Sequence, residues 1–352
     1  MKQKLINPFV AAAKIELGGP FVGRKDDFEY IVSQMTGVQP TSINIVGDKR
    51  LGKSCLLYRF AQIWETLVPE PSKYVVIYLS CDNVLETREN SFYQHVAAKL
   101  CVSSYVSQDS QLYQAMQVTE WNRENFNQAI KKWQNLGVLP VLCLDDFERL
   151  LENKSEFDNG FYNNLRNLMS ESQFMLVIAT LKKLKVYKEK YKLTSRFFDV
   201  GHVRYLEPFN QAEVDELLDT RDSSEKIALS VAEQHLARRW GNKHPYLLQL
   251  ACFYLFKAKQ LGKDRDWAHK EYQRQAENVP TRKDKLFDWL VQKTQKLPYF
   301  GRYLSASIIW IGNMLTHLGA IFLLIAIILF ILNYISWDSL KDMLVPSWLK
   351  TD

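Results

Sequence analysis

Residues 42–64 of the chain, SINIVGDKRLGKSCLLYRFAQIW, decide the fold. Their apolar start, Ser42 to Gly47, predicts a short buried strand, and Lys53 to Trp64 predicts the helix that follows it. Residues 47–54 between them match the pattern G-x-x-x-x-G-K-[ST]. In such a loop the glycines let backbone amides curl around phosphate oxygens, and a strand before it and a helix after it are the required context. The sequence therefore predicts a P-loop; the alternative, a plain glycine-rich turn, does not explain the lysine and the serine.

The side chains of this loop have predicted tasks. Lys53 reaches the β- and γ-phosphates and takes part in catalysis, and the Ser54 hydroxyl binds Mg²⁺ at the start of the helix. We therefore expect ATP and Mg²⁺ as the ligands. The predicted nucleotide contacts of the loop are Gly47, Asp48, Lys49, Arg50, Leu51, Gly52, Lys53, Ser54 and Cys55.

A pair of acidic residues follows a later apolar run. Residues 141–146, VLCLDD, place two carboxylates at the end of a predicted buried strand. In a P-loop fold such a strand end lies beside the phosphates. We predict that Asp145 binds the Mg²⁺ and that Asp146 is the catalytic group that orients or activates the attacking water. The alternatives are that both acids only cap the following helix, and that Glu148 is the base.

Short apolar strands alternate with helices as far as residue 208, and this predicts an α/β fold with a parallel P-loop NTPase sheet covered by helices on both faces. The other predicted strands are Tyr74–Ser80, Pro140–Leu144, Phe174–Ala179 and Val203–Leu206, and the other helices of this part are Ser91–Val102, Thr119–Leu136 and Asn159–Ser170. From Asn210 onward the periodicity is only helical, which predicts an α-helical lid. Its predicted helices are Gln211–Asp219, Ser223–Trp240, Pro245–Leu261 and Asp266–Glu277.

The composition limits the class of protein. With 352 residues, 47% hydrophobic and a net charge of +6, the chain is neither disordered nor collagen-like. Its five cysteines include no C-x-x-C pair and no zinc-type spacing, which favours reduced thiols in a cytosolic domain. The first residues contain no long apolar run, so a secretory signal is not predicted.

A stretch near the C-terminus has no charged residue. Residues 303–337 contain no Asp, Glu, Lys or Arg, whereas residues 257–302 contain 12 basic and 6 acidic residues. This pattern predicts a C-terminal transmembrane helix in a single-pass membrane protein, with the basic side and the preceding domain in the cytoplasm. The alternatives are a two-span hairpin and a buried soluble helix for the uncharged stretch, and a solvated linker or a nucleic-acid contact for the basic one.

The predicted order of domains follows from these patterns. It consists of an N-terminal extension at 1–20, a P-loop ATPase core at 21–208, a helical lid at 209–279, a basic juxtamembrane linker at 280–302, a membrane segment at 303–337 whose core span is 316–337, and a short tail at 338–352.

Several segments together resemble the AAA+ and STAND ATPases, the second name meaning signal-transduction ATPases with numerous domains. The resemblance covers residues 20 to 260 and includes, besides the P-loop, an entry box at 21–24 (FVGR), a Walker B segment at 144–148 (LDDFE), a sensor-1 position at 179–180, a lid entry at 206–209 (LEPF) and a lid segment at 241–248 (GNKHPYLL). The lid segment departs from the G-x-P spacing of STAND proteins, and a sensor-2 arginine is missing from it.

The resemblance implies further site residues. Val22, Gly23 and Arg24 would lie near the adenine. His244 would approach the phosphates in place of a sensor-2 arginine; its alternative role is that of a turn residue before a helix. Arg196 would reach the γ-phosphate of a neighbouring subunit as a catalytic finger; its alternative is a surface or ion-pairing arginine.

Together these inferences predict a membrane-anchored cytoplasmic ATP-binding and ATP-hydrolysing switch. Nucleotide would control the position of the lid or the assembly of a homo-oligomer, and a membrane output would follow. By resemblance the role is in signalling or bacterial defence, with a protein partner as the trigger. The rival functions are an ATP-driven motor that remodels a protein or nucleic acid, with the helix only as a tether, and an adaptor that binds nucleotide without hydrolysing it.

Overall fold

The computed structural model describes residues 6–10, 21–84, 88–103, 106, 110–199, 201–223, 225–277 and 279. The chain divides into two compact units, Met1–Asn278 and Val279–Asp352, and the fold described below is that of the first. The predicted linker at 280–302, membrane segment at 303–337 and tail at 338–352 lie outside the described residues. Within the described ranges, no helix combines the length and the hydropathy that crossing a bilayer requires.

A parallel sheet forms the centre of this unit. Its five strands in the described residues are β1 (Ile43–Val46), β2 (Tyr74–Ser80), β3 (Leu139–Asp145), β4 (Met175–Thr180) and β5 (His202–Tyr205). They are ordered β2-β3-β4-β1-β5, and every neighbouring pair is parallel. The parallel sheet predicted from the sequence is therefore confirmed. Because the strands are parallel, the carboxyl ends of β1, β4 and β3 follow one another along one edge of the sheet.

Helices cover both faces of the sheet. Those of the core are α1 (Lys25–Met35), α2 (Lys53–Ile63), α3 (Glu89–Val102), α4 (Ser110–Ala115), α5 (Arg123–Asn135), α6 (Glu148–Glu152), α7 (Asn159–Ser170) and α8 (Leu184–Tyr191). Along β3 the side chains alternate between the faces. Val141 and Cys143 pack with α1 and α2, whereas Leu142 and Leu144 pack with α3, α5 and α7. Both faces are apolar, which is why the strands have continuous hydrophobic runs rather than alternating ones.

Four helices follow the sheet and share a separate hydrophobic cluster. They are α9 (Gln211–Leu218), α10 (Val231–Gly241), α11 (Pro245–Leu261) and α12 (Arg265–Ala276). Part of the N-terminal extension joins them: Phe9 is buried and packs edge-on against Phe256, with 6.3 Å between ring centroids. We call these four helices the lid.

One predicted lid helix begins later than expected. The prediction was Ser223–Trp240, but α10 starts at Val231. Ser230 and Glu233 form a capping box there, which stabilises a helix start at that point. Before it, Arg221 and Ile227 pair as an isolated antiparallel bridge, and the described residues between 221 and 230 are not helical.

Candidate functional site

The predicted P-loop connects β1 to α2, as the motif requires. Arg50 and Gly52 both have left-handed backbone conformations, with φ of 64° and 93°. A Cβ on Gly52 would meet no atom within 4 Å, so the loop needs glycine there for its backbone angle and not for space. Gly52 is also the N-cap of α2, and no side chain caps that helix. The loop therefore presents a helix N-terminus, where backbone N–H groups and the helix dipole favour an anion.

Lys53 is held inside this loop. Its Nζ donates hydrogen bonds to the carbonyl oxygens of Gly47, at 2.8 Å, and Asp48, at 2.9 Å. Burial lowers the pKa of Lys53, and the carboxylates of Glu148, Asp145 and Asp146 act in the opposite direction. The ammonium group thus lies within the electrostatic reach of all three acids that follow β3.

Asp145 ends β3 as a buried carboxylate, only 2% exposed. Its Oδ1 accepts the backbone N–H of Asp146 at 3.1 Å, and its Oδ2 accepts the hydroxyl of Tyr78 at 2.7 Å. Burial, and then the carboxylate beside it, raise the pKa of Tyr78, so the phenol stays protonated and donates. Two donors therefore fix the orientation of the carboxylate that we predicted to bind the metal.

Tyr78 is a site residue that the sequence reasoning missed. It lies on β2 and pairs in register with Cys143, two residues before Asp145 on the same face of β3. The signal was present only indirectly, as a tyrosine inside the apolar run YVVIYLS, because the register between two strands cannot be read from either one alone.

Asp146 and Glu148 lie on the turn between β3 and α6. Asp146 has a left-handed φ of 52° and is half-buried. Glu148 is the first residue of α6. Its own backbone N–H and that of Leu181, immediately after β4, favour the ionised carboxylate and partly offset the effect of burial on its pKa. Burial raises the pKa of Glu148. The structure thus brings the predicted water-orienting residue and its alternative to the same edge of the sheet as Lys53.

The entry box lies between the P-loop and the lid. Arg24 is 5% exposed, and its guanidinium donates to the carbonyl oxygens of Leu51 at 2.8 Å and Glu207 at 2.7 Å. Its backbone N–H donates to Glu213 Oε1 at 2.7 Å. Gly23 has a φ of 72°, and a Cβ there would collide with the Glu213 carboxylate. In this structure, therefore, the Arg24 side chain connects the P-loop with the lid entry, and its backbone N–H contacts α9 of the lid. Its predicted place near the adenine stays a prediction.

The lid meets the P-loop a second time through its longest helix. His244 is the N-cap of α11, where its Nδ1 accepts the backbone N–H of Leu247 at 3.4 Å. This contact is that of the helix-capping turn residue that the sequence left as the alternative. Two residues further, the Tyr246 ring lies under the guanidinium of Arg50, 4.2 Å from its carbon to the ring centroid. A cation–π contact thus joins the loop to the lid.

The remaining residues predicted for the site differ in their exposure to solvent. Arg196 is exposed at the start of a 3₁₀ turn anchored by the buried rings of Phe197 and Phe198. An exposed side chain is what a contact with another subunit requires, and the finger role stays a prediction. The P-loop residues Asp48, Lys49 and Arg50 are exposed, whereas Val22, Gly47, Ser54 and Cys55 are partly buried and Leu51 is buried.

Comparisons with known proteins agree with this geometry. The model of a family described as "Bacterial TniB protein" matches residues 25–207, which include all five strands and the P-loop. A comparison with curated proteins found no match.

Among solved structures, the Walker-type ATPase of Pyrococcus abyssi is similar, with a TM-score of 0.55 and 14% identity over 85% of this chain and 81% of that one. The ORC2 protein of Aeropyrum pernix in its ADPNP–ADP complexes gives 0.49 and 12% over 75% and 70%, respectively. Domain III of the replication initiation protein DnaA from Thermotoga maritima gives 0.45 and 15% over 74% and 95%. The first likeness shows a shared fold, and the two lower scores add nothing to it.

Proposed function

The chain belongs to the bacterial TniB family, and from this premise we propose that its first unit is an AAA+-type ATPase that binds and hydrolyses Mg²⁺–ATP and acts as a switch. One observation carries this proposal. Lys53 is a partly buried ammonium in a loop that ends at a helix N-terminus, and three carboxylates at the end of β3 and just after it interact with it electrostatically. Such a combination of cation, backbone donors and acids suits a phosphorylated ligand with a metal ion.

Lys53 would bind the phosphates of the nucleotide. Its Nζ donates hydrogen bonds to two neutral carbonyl oxygens of its own loop. Hydrogen bonds from an ammonium to charged phosphate oxygens are about twice as strong as bonds between neutral groups. Phosphate oxygens therefore compete well for Lys53.

The residues present fit Mg²⁺ as the metal. Ser54 offers a hydroxyl and Asp145 a carboxylate, and hard oxygen donors of this kind are the ligands that Mg²⁺ prefers, with one or two protein groups and substrate phosphates completing its shell. In the described residues, no group of three His, Cys, Asp or Glu side chains forms a metal site of the all-protein kind. When bound, the ion would neutralise charge on the β- and γ-phosphates. Tyr78 holds the Asp145 carboxylate in place for this task.

The lid contacts support the switch. Arg50 stacks on Tyr246 of the lid, and Arg24 binds the carbonyl oxygen of Leu51 with its guanidinium and Glu213 of α9 with its backbone N–H, so the P-loop contacts the lid directly through Arg50 and indirectly through Arg24. A ligand that changes the loop at these residues changes the energy of both attachments. A nucleotide that binds more tightly in one lid position than in the other supplies the free-energy difference for such a switch.

The membrane and assembly parts of the proposal are supported by the sequence. The uncharged stretch 303–337 would be a single span that anchors a cytoplasmic ATPase, with anionic lipid beside the basic residues before it. Arg196 would act on the nucleotide of a second copy of the chain in a homo-oligomer. A protein partner would act as the trigger, and by the STAND resemblance the role would be in signalling or antiviral defence.

The ATPase proposal is tested by phosphate release from ATP by the full chain. We expect turnover that requires Mg²⁺ and is lost in Asp145→Asn, whose side chain has the same shape but no charge. Turnover equal in wild type and Asp145→Asn, or unchanged after chelation of the metal, would refute the proposal. The topology is tested separately by reporter fusions at residue 300 and at the C-terminus, which should report opposite sides of the membrane.

A further inference from the structure

The turn that precedes Glu148 determines its place at the start of α6. The backbone takes a left-handed φ of 52° at Asp146, and Phe147 is then fully buried. The Phe147 ring packs against Phe197 and Tyr162, at 5.8 Å and 6.3 Å between centroids. This aromatic anchor fixes where α6 begins, and Glu148 is its first residue. The position of the carboxylate is therefore set by core packing.

The two oxygens of Glu148 have different surroundings. Backbone N–H groups of Glu148 itself and of Leu181, the residue after β4, favour the ionised form of the carboxylate. Its Oε2, in contrast, is buried without a hydrogen-bond partner among the described residues. A buried carboxylate oxygen without a partner costs folding free energy, so such an atom calls for an explanation. A ligand or water that arrives with the substrate provides one.

The residues around Glu148 indicate which ligand its Oε2 would bind. Lys53 and Asp146 both influence it electrostatically, and Lys53 is the residue we assign to the β- and γ-phosphates. Leu181 follows the strand end that resembles the sensor-1 position. The electrostatic interaction with Lys53 indicates that Glu148 lies near the predicted phosphate site, where the water that attacks the terminal phosphate would have to be held.

On the basis of the proposed ATPase function, we propose that Glu148, and not Asp146, binds the attacking water and accepts its proton. The water oxygen forms a bond to the γ-phosphorus, and the bond from that phosphorus to the β–γ bridging oxygen breaks. ADP leaves with the electron pair of that bond. One water proton passes to Glu148 Oε2 and from there to solvent, which leaves inorganic phosphate.

The local chemistry supports this assignment. Burial raises the pKa of Glu148, and a carboxylate with a raised pKa is a stronger base than an exposed one. The buried Phe147 sets where α6 begins, so the position of Glu148 needs little further ordering when the water binds. Asp146 remains a neighbour that adds negative charge beside the water.

The experiment compares Glu148→Gln with Asp146→Asn in the full chain, with Glu124→Gln as the matched control on the exposed surface of α5. For each protein, kcat, ATP affinity and thermal stability without nucleotide are measured. Glu148→Gln should lower kcat by about 100-fold or more, because general base catalysis contributes on that scale. Its ATP affinity should stay within about threefold of wild type, since P-loop contacts determine binding. Glutamine keeps the shape and a hydrogen-bond acceptor, so the melting temperature should not fall.

Three results would overturn the assignment. A kcat for Glu148→Gln close to that of Glu124→Gln shows that Glu148 is not the base, and a large loss confined to Asp146→Asn moves the role to that residue. A parallel fall in kcat, affinity and melting temperature for Glu148→Gln indicates a structural role. Absence of turnover in the wild type is a different outcome, because it refutes the ATPase function itself and the base with it.

Discussion

Arg24→Met is predicted to destabilise the protein even when no nucleotide is present. Methionine keeps much of the side-chain length and the contact with the Phe209 ring, over which the guanidinium lies at 5.2 Å. It removes the two hydrogen bonds to the Leu51 and Glu207 carbonyl oxygens. Asp27, which lies 3.6 Å from Arg24, keeps a second partner in Arg204 at 2.8 Å. The loss is therefore concentrated on the link between P-loop and lid.

The magnitude follows from these contacts. Hydrogen bonds from a charged donor contribute about 1.5–3 kcal/mol each, so two of them are worth about 3–6 kcal/mol. Burial lowers the pKa of Arg24, which means that removing the charge from water offsets part of this gain. We expect a net loss of about 3 kcal/mol. For a domain of this size that corresponds to a fall in Tm of about 6–12 °C.

Thermal unfolding followed by tryptophan fluorescence measures this effect, with Arg196→Met as the control because Arg196 is exposed. The control should change Tm by no more than about 2 °C. If Arg24 served only as a ligand of the adenine, Arg24→Met would behave like the control without nucleotide and differ only when nucleotide is added. A Tm equal to that of Arg196→Met would therefore refute the interpretation of Arg24 as a link.

Three further predictions test separate parts of the structure. Tyr78→Phe removes a donor to Asp145 and should raise the Mg²⁺ concentration for half-maximal nucleotide binding by about 10-fold; an unchanged value would exclude a positioning role. Gly241→Ala places a Cβ against the backbone of Leu248, so it should destabilise the lid by about 2–3 kcal/mol in thermal unfolding, and a neutral effect would contradict the close helix contact. Burial raises the pKa of Glu148, so ionisation of this side chain destabilises the folded state. Glu148→Gln removes that ionisation and should therefore raise Tm at pH 8. The gain should vanish below about pH 4.3, the ordinary pKa of glutamate, because the side chain is then protonated in both the folded and the unfolded state. A gain independent of pH would show that the charge is not its cause.

The sheet and the P-loop could be predicted because their signals are local. Strands β3 and β4 are mostly apolar runs, and β1 is apolar except for Asn44; strands buried on both faces have this pattern. The spacing of the P-loop is likewise contained in eight consecutive residues. The local sequence pattern was therefore sufficient to predict the central sheet and the place of Lys53 in the P-loop.

Weakly patterned helices could not be predicted in the same way. Helix α8, LKVYKEKY, buries only Leu184 and Tyr187, and its four lysine and glutamate residues hide the helical period. The segment 223–230 was predicted as helix because it leads into α10 without a proline or glycine. The capping box at Ser230 decided where the helix begins, and its strength depends on the turn before it.

The long-range contacts of the site could not be predicted from the sequence for a different reason. Arg24 and Glu213 are 189 residues apart, and Tyr78 and Asp145 are 67 apart. Nothing local to Arg24 shows that its guanidinium binds backbone carbonyl oxygens of the loop and the lid entry. Such contacts follow from strand order and the docking of the lid, which a single sequence does not specify.

The central claim, that the loop at 47–54 is the phosphate site of an ATPase, is tested most directly by the ATP affinity of Lys53→Ala. Affinity for Mg²⁺–ATP is measured by calorimetry on the full chain, with Lys99→Ala, an exposed lysine on α3, as the control for loss of one positive charge. Lys53→Ala should weaken binding by about 100-fold, or about 2.7 kcal/mol, because charged hydrogen bonds to phosphate are lost. Lys99→Ala should bind as the wild type does. Equal ATP affinity in Lys53→Ala and wild type would contradict the claim.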